Sequence, residues 1–332
     1  MSNSTVPTAS APATSASRRS LSLRATGSVV IGLITAAFAL VSLFVVPNFG
    51  TTSNIRALLL SVSLTGIAAV GLSLITISGQ IFSLAISSMI AIGTIAFARA
   101  LDVSGWAGLA FAIAVGLLIG ATQGLVIGRL RTNPIITTIA FSAILLGVGQ
   151  LYTQGHTITG GADASLFNSN LFGFLPFQVL TFVLVTVALY LWHRYTVTGR
   201  QITLIGLNER AAQISGTRVW PLVLTAFAVS GACTGLAAGL LAAQSGQGNL
   251  LLGGAFGFDV IVAVVVGGIA VNGGAGTPLS AAVGALFVGL LGNVLALSGL
   301  SYENQLVIKG VLVLLAVTLT GLSSMLSAGG RR

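Results

Sequence analysis

Ten long apolar stretches occupy most of the 332-residue sequence, and they constrain the fold more than any other feature. A membrane-crossing helix needs roughly 20 predominantly apolar residues. Only 6% of the residues are charged, against about 25% in an average soluble domain. The sequence therefore predicts an all-α fold, a polytopic membrane helical bundle of about ten transmembrane helices. The predicted spans lie near residues 27–47, 55–77, 80–101, 106–128, 134–152, 178–194, 220–243, 257–272, 278–299 and 305–326.

The positions of the basic residues predict the orientation of this bundle. With the N-terminus inside, only Arg56, Arg99 and Lys309 of the 14 basic residues lie toward the outside, which leaves 11 inside. Short cytoplasmic loops carry an excess of Lys and Arg, so both termini are expected to be cytoplasmic. The net charge is +9. Because the basic residues collect in the inner loops, this charge does not indicate binding to nucleic acid. The inner basic residues are Arg18, Arg19, Arg24, Arg129, Arg131, Arg194, Arg200, Arg210, Arg218, Arg331 and Arg332.

Three regions follow from these patterns. Residues 1–26 are rich in Ser, Thr, Ala and Pro and are predicted to be a disordered, basic cytoplasmic N-terminus. Residues 27–326 form the transmembrane domain, which contains a cytoplasmic loop at 195–219, and residues 327–332 form a cytoplasmic tail. The longest outer connection, 153–177, is interpreted as an interfacial loop, with contact to a solute-delivery protein as the functional alternative.

Glycine spacing predicts that two of the spans pack closely against other helices. Gly116, Gly120, Gly124 and Gly128 recur at every fourth position, and a second series at Gly231, Gly235 and Gly239 does the same. Residues four apart share one helix face, and small residues let two helix backbones approach closely. The single Cys233 cannot form an intrachain disulfide and is interpreted as another small packing residue.

Sequence motifs for catalysis are absent from the chain. There is no GxxxxGK[ST] phosphate loop, and His156 and His193 are too few and too far apart for a metal site. We therefore expect no enzyme activity, no cofactor and no metal. Asp259 and Lys309 are the main candidates for an ion relay, but both lie near predicted span ends. We therefore expect a separate protein chain to supply the energy for transport.

The cytoplasmic loop at 195–219 contains its own helix signals. Asn208 is a predicted N-cap for a helix that begins at Glu209, and Gly216 is a predicted C-terminal glycine. The resulting helix is amphipathic and expected to lie parallel to the membrane. Because so short a helix is unstable alone, a partner surface is expected to hold it.

Three segments resemble a known family. Residues 206–216 (GLNERAAQISG) resemble the coupling-helix motif of ABC transporter permeases of the ribose/monosaccharide, branched-chain-type family. Residues 267–276 (GGIAVNGGAG) and the preceding Asp259 resemble its glycine pattern and acidic position, and 293–317 resemble its last two spans. Leu146, Gly257 and Ala275 are neutral where the family often has charged residues, so the chain is identified as a divergent member.

The resemblance implies a function. The chain would be the membrane-spanning permease subunit of an ATP-binding-cassette importer in the bacterial inner membrane, translocating a small polar solute such as a monosaccharide. Its implied partners are a cytosolic ABC ATPase, a second permease subunit, an extracytoplasmic solute-binding protein and membrane lipid, with no nucleic acid. The residues assigned to coupling with the ATPase are Asn208, Glu209, Arg210, Ala211, Ala212 and Gly216.

Polar residues within the spans are assigned to the substrate pathway. Their amides and hydroxyls can exchange hydrogen bonds with a polar solute, although bonds between helices are an equally good explanation of such residues. The assigned residues are Gln80, Ser87, Asn133, Thr137, Gln150 and Asn293.

Three other classes of protein remain as alternatives. A ten-span secondary transporter of the drug/metabolite type would show two similar halves of inverted topology, but the loop at 195–219 has no counterpart in the first half. A passive channel would not explain this loop. A non-transporting assembly subunit would fit if the chain lost its transport function together with the charged residues that the family often has.

Overall fold

The computed structural model describes residues 14–160, 167, 170–171 and 175–329. Within these residues every predicted apolar stretch contains a helix. The helices are α1 (Thr14–Val45), α2 (Thr52–Ile77), α3 (Ile86–Ala100), α4 (Gly105–Leu130), α5 (Pro134–Thr153), α6 (Phe177–Tyr195), α7 (Val197–Leu207), α8 (Glu209–Ile214), α9 (Val219–Ser245), α10 (Leu252–Val266), α11 (Pro278–Leu297) and α12 (Tyr302–Gly329). Two short strands, β1 (Asn170–Leu171) and β2 (Leu175–Pro176), pair antiparallel before α6.

The described helices include six that are long and apolar enough to cross a membrane, namely α2, α4, α5, α6, α9 and α11. Both α3 and α10 are apolar but shorter. The fold is therefore a helical membrane bundle, as the composition predicted.

Some helix boundaries differ from the prediction. The span expected at 80–101 is helical only from Ile86, because Gly79 has a φ of +83° and ends the preceding helix in a turn. The span expected at 257–272 begins earlier, at Leu252, and ends before Gly267, where two consecutive glycines begin a turn. Residues 1–13 of the predicted disordered N-terminus lie outside the described residues. In contrast to that prediction, 14–26 are helical, since no Pro or Gly interrupts this stretch.

The core is built around two buried helices. The α2 helix is buried continuously from Val62 to Ile77, and α9 is buried along most of its length. The contact between α4 and α9 is the most extensive in the described bundle.

The two glycine series face each other across the α4–α9 contact. A Cβ added at Gly124 would lie 2.8 Å from the Cα of Leu224, and one at Gly116 would meet the backbone of Gly231. The predicted close packing is confirmed. Cys233 is likewise buried, and a Cβ added at Gly71 would lie 2.6 Å from its Cβ. Small residues therefore set the distances of α9 from both α4 and α2.

Charge distinguishes the two ends of the bundle. The basic end, defined by Arg129, Arg131 and Arg218, carries the α4–α5 turn and the α7–α8 segment around one cavity. The far end carries the beginnings of α2 and α12 and the end of α11, around two smaller cavities.

Candidate functional site

The loop predicted at 195–219 contains two helices, α7 and α8, of which only the second was predicted. The first begins after Thr196, whose hydroxyl oxygen accepts a hydrogen bond from the Gly199 N–H at 3.1 Å. The second begins after Asn208, whose Oδ1 accepts from the Ala211 N–H at 3.0 Å. The predicted N-cap at Asn208 is confirmed. Its extended backbone, with φ of −162° and ψ of 102°, separates the two helices.

The end of α8 also agrees with the prediction. Gly216 has a φ of +84°, a left-handed conformation that glycine adopts without steric cost. Its N–H donates to the Gln213 carbonyl, and the Thr217 N–H donates to the Ala212 carbonyl, both at 3.0 Å. These bonds satisfy carbonyls that the last turn of a helix otherwise leaves without partners.

The α8 helix presents most of its surface outward. Ala212 is buried and holds the helix to the bundle, whereas Glu209, Arg210 and Ala211 are exposed. Ile214 is 83% exposed, so an apolar side chain projects beside the charged ones. The exposed surface of α8 therefore combines charged and apolar side chains.

A cluster that we call the glycine junction, formed by Gly79, Gly206, Gly273 and Gly274, connects α7 to the rest of the bundle. A Cβ added at Gly206 would lie 2.5 Å from the Gly274 nitrogen, and one at Gly79 would lie 3.2 Å from the Gly206 Cα. The Gly274 N–H donates to the Ile77 carbonyl at the end of α2, at 2.9 Å. The end of α7 therefore contacts both the α2–α3 turn and the α10–α11 turn, backbone against backbone.

A side-chain hydrogen bond also fixes α7 to α6. His193 Nε2 and Thr203 Oγ1 are 3.0 Å apart, and Gly199 packs on the backbone of His193. His193 is 9% exposed, and its ring faces α7. The sequence did not predict the hydrogen bond between His193 and Thr203 or the role of Gly206 in the glycine junction. The only signal for the junction was the repeated glycine in residues 267–276.

The α7–α8 segment borders a cavity of about 900 Å³ at the basic end. The Arg129 guanidinium lies 5.4 Å from the centre of the Trp220 ring, a cation–π distance. Three arginines and a single carboxylate make the lining positive. The polar residues of this lining are Gln80, Arg129, Arg131, Thr132, Glu209, Gln213, Thr217 and Arg218.

The residues assigned to the substrate pathway do not come together in one place. Gln80 lines the basic-end cavity, whereas Asn293 lines a cavity at the far end. Ser87 packs against Gly257 of α10, and Gln150 is exposed on α5.

Two of the assigned residues serve local structure. Asn133 caps α5 by accepting from the Ile135 N–H at 2.9 Å, and Thr137 donates to the Thr132 hydroxyl at 2.8 Å. Hydrogen bonding within and between helices, the alternative explanation, accounts for these two.

The structure pairs two charged residues that the sequence had treated separately. Lys309 Nζ on α12 lies 2.7 and 2.8 Å from the two carboxylate oxygens of Asp259 on α10. In a membrane protein, two isolated opposite charges in apolar segments are expected to pair. Among the described residues, no group of three or more His, Cys, Asp or Glu is placed to hold a metal ion.

Comparison with known proteins places this architecture in a family. The family described as "Branched-chain amino acid transport system / permease component" matches residues 54–317, from the beginning of α2 into α12. The chain belongs to this permease family. The matched region contains the α7–α8 segment, the glycine junction and the Asp259–Lys309 pair.

Individual relatives of the permease are named as importers. The ribose import permease protein RbsC of Escherichia coli K12 is 31% identical over 281 residues, covering 82% of this chain and 86% of the relative. Its namesake from Bacillus subtilis 168 is 33% identical, with the same coverage. The L-arabinose transport system permease protein AraH of E. coli K12 is 31% identical over 277 residues, covering 82% of this chain and 84% of the relative.

These relatives are permease subunits of transport systems, so the chain is a transporter permease and not an enzyme. They do not favour the drug/metabolite transporter alternative. No solved structure matches the chain.

Proposed function

We propose that this permease forms the transmembrane pathway of an ATP-driven importer for a monosaccharide, which an extracytoplasmic binding protein delivers. The relatives named for ribose and arabinose support the class of solute. The observation that carries the ATP-driven part is α8, a capped helix with an exposed charged and apolar surface.

The proposal places the basic end in the cytoplasm of a bacterial cell, with ten spans in the inner membrane and both termini inside. The positive-inside rule supports this orientation, since Arg129, Arg131 and Arg218 share one cavity at that end. The exposed surface of α8 is then available to a cytosolic ATPase.

In the proposed mechanism, the ATPase binds α8, with Glu209 and Arg210 facing its charged groups. Closure of the ATPase on ATP pushes α8, and α7 follows because Asn208 alone separates the two helices. The hydrogen bond between His193 and Thr203 then carries the movement of α7 to α6. The glycine junction passes this displacement to the α2–α3 and α10–α11 turns, since backbones in direct contact leave no soft side chain to absorb it. The pathway would then alternate between its two openings, with a second permease subunit completing it.

Co-expression of the permease with its genomic neighbours, followed by co-purification of an ABC ATPase, tests the proposal. Gly216→Trp places a bulky side chain at the end of α8, where an added Cβ meets nothing within 4 Å beyond its chain neighbours, and strains the turn because Gly216 has a φ of +84°. Val103→Trp is the matched control, because Val103 is 81% exposed in the α3–α4 turn, away from α8.

We expect the ATPase to be retained by the wild type and by Val103→Trp and lost from Gly216→Trp, while all three insert into the membrane equally. Retention of the ATPase by Gly216→Trp would contradict the assignment of α8.

A further inference from the structure

Two cavities at the far end lie side by side among α2, α9, α10, α11 and α12, and we call the two together the two-lobed cavity. Their volumes are about 360 and 310 Å³, and they share Ala57, Ser61 and Phe256 as walls. Small-molecule sites are clefts of roughly 300–1,000 Å³, so each lobe has the size of a site for a small solute. Gly289, Gly292 and Ala296 provide room on the α11 side.

The Asp259–Lys309 ion pair lines the second lobe. The side chains of Lys309 and Asp259 are only 6% and 21% exposed. Burying two charges among apolar helices is costly, and such pairs in membranes commonly mark a solute or ion route. Because the charges neutralise each other, the lobe offers strong donors and acceptors without a net charge.

A pair of carboxamides lines the same lobe through Asn293. The Asn54 and Asn293 side chains donate to each other, at 3.0 and 2.7 Å. A carboxamide has two N–H donors and an oxygen with two lone pairs, so one reciprocal pair does not exhaust its capacity. Phe256 adds an apolar wall between the lobes, and Tyr302 adds a phenol.

We propose that this two-lobed cavity binds an uncharged polyhydroxy solute before it passes further into the bundle. Hydroxyl groups can accept from Lys309 and Asn293 and donate to Asp259 in the second lobe. They can also accept from the Arg56 guanidinium that lines the first lobe. A positively charged solute would instead be repelled by Arg56. The inference rests on the proposed function. It differs from a purely structural role of the ion pair, in which Asp259 and Lys309 would only fasten α12 to α10.

Cysteine accessibility with solute protection tests this site. Cys233 is the single native cysteine, so a Cys233→Ala background leaves only introduced thiols. Ser61→Cys reports on the wall common to both lobes, and Gln244→Cys, at an exposed position on α9, is a second reporter should the first variant fold poorly. Val103→Cys is the control, because it lies in an exposed turn outside the cavity.

The complete importer, with its ATPase and binding protein, is reconstituted in proteoliposomes and treated with a membrane-impermeant methanethiosulfonate reagent. Labelling is timed with D-ribose, L-arabinose or the cationic polyol N-methyl-D-glucamine present. We expect the sugar that the wild type takes up to slow labelling of Ser61→Cys or Gln244→Cys several-fold. N-methyl-D-glucamine should have no effect on these reporters, because Arg56 repels its charge, and labelling of Val103→Cys should stay unchanged in every case.

The outcomes separate the site from the function. Uptake of a sugar without protection of either reporter, or equal protection by N-methyl-D-glucamine, would overturn the site and leave the importer intact. Reporters that resist labelling altogether would also overturn it. If the wild-type importer takes up neither these two sugars nor any other monosaccharide, the proposed function fails and the site fails with it.

Discussion

Replacing Asp259 with asparagine should destabilise the permease more than replacing Lys309 with methionine. The first change leaves the Lys309 ammonium buried, with only 6% of its side chain exposed and no carboxylate to balance it. The second leaves the Asp259 carboxyl, which is 21% exposed, so water or a proton can relieve its charge more easily.

The expected magnitude follows from the cost of an uncompensated buried charge. Removing one partner of a buried ion pair costs about 3–5 kcal/mol. We expect Asp259→Asn in the upper part of this range and Lys309→Met at or below its lower limit. Since about 1.4 kcal/mol is tenfold in an equilibrium constant, Asp259→Asn shifts the unfolding equilibrium by more than roughly a hundredfold.

Equilibrium unfolding by SDS in mixed micelles, followed by the fluorescence of the three tryptophans, measures these differences. The double variant Asp259→Asn/Lys309→Met removes both charges and should regain most of the wild-type stability, because a buried ion pair contributes little net stability. In the reconstituted importer the double variant should nevertheless take up sugar poorly. Wild-type stability of Asp259→Asn, or a larger loss in Lys309→Met, would refute the reasoning about burial.

Three further predictions concern the α4–α9 contact, the glycine junction and α8. Gly124→Leu should reduce the yield of monodisperse protein in detergent gel filtration, since overpacking costs about 1–3 kcal/mol or more, whereas Gly147→Ala, with open space around it, should behave as wild type. Gly206→Ala should push α7 away from the junction, because its Cβ would lie 2.5 Å from the Gly274 nitrogen. Among protein that stays monodisperse in gel filtration and retains the ATPase, ATP-dependent uptake should be lost; normal uptake would remove the junction from the mechanism. Asn208→Ala should weaken ATPase binding roughly fivefold in a titration, since a lost N-cap costs ~1 kcal/mol. Asn208→Asp should restore the affinity. Equal affinity of the wild type and both variants would contradict the role of the cap.

Local patterns in the sequence predicted much of this structure. Hydropathy located the apolar helices, and the signals at Asn208 and Gly216 located both ends of α8, because caps depend on neighbouring residues alone. The spacing of the glycines at 116–128 predicted that α4 packs closely on another helix, but not that this helix is α9.

Features that depend on distant residues were missed. The α7 helix contains Gly199 and Gly206, which lower helix propensity, and contacts with α6 and the glycine junction stabilise it instead. The pairing of Asp259 with Lys309 joins residues far apart in the chain and needs the tertiary fold. The residues assigned to the substrate pathway lie in different places. An amide or hydroxyl in a membrane helix can cap a helix, as Asn133 does, just as well as it can bind a solute, and the sequence does not distinguish the two roles.

Uptake into proteoliposomes tests the central claim most directly. The permease is reconstituted with its ATPase and binding protein, and entry of labelled D-ribose and L-arabinose is measured with and without ATP on the ATPase side. The account predicts uptake that needs ATP and both partners, that Gly216→Trp abolishes and that Val103→Trp leaves unchanged. Uptake by the permease alone along an ion gradient, or full ATP-dependent uptake by Gly216→Trp, would contradict it.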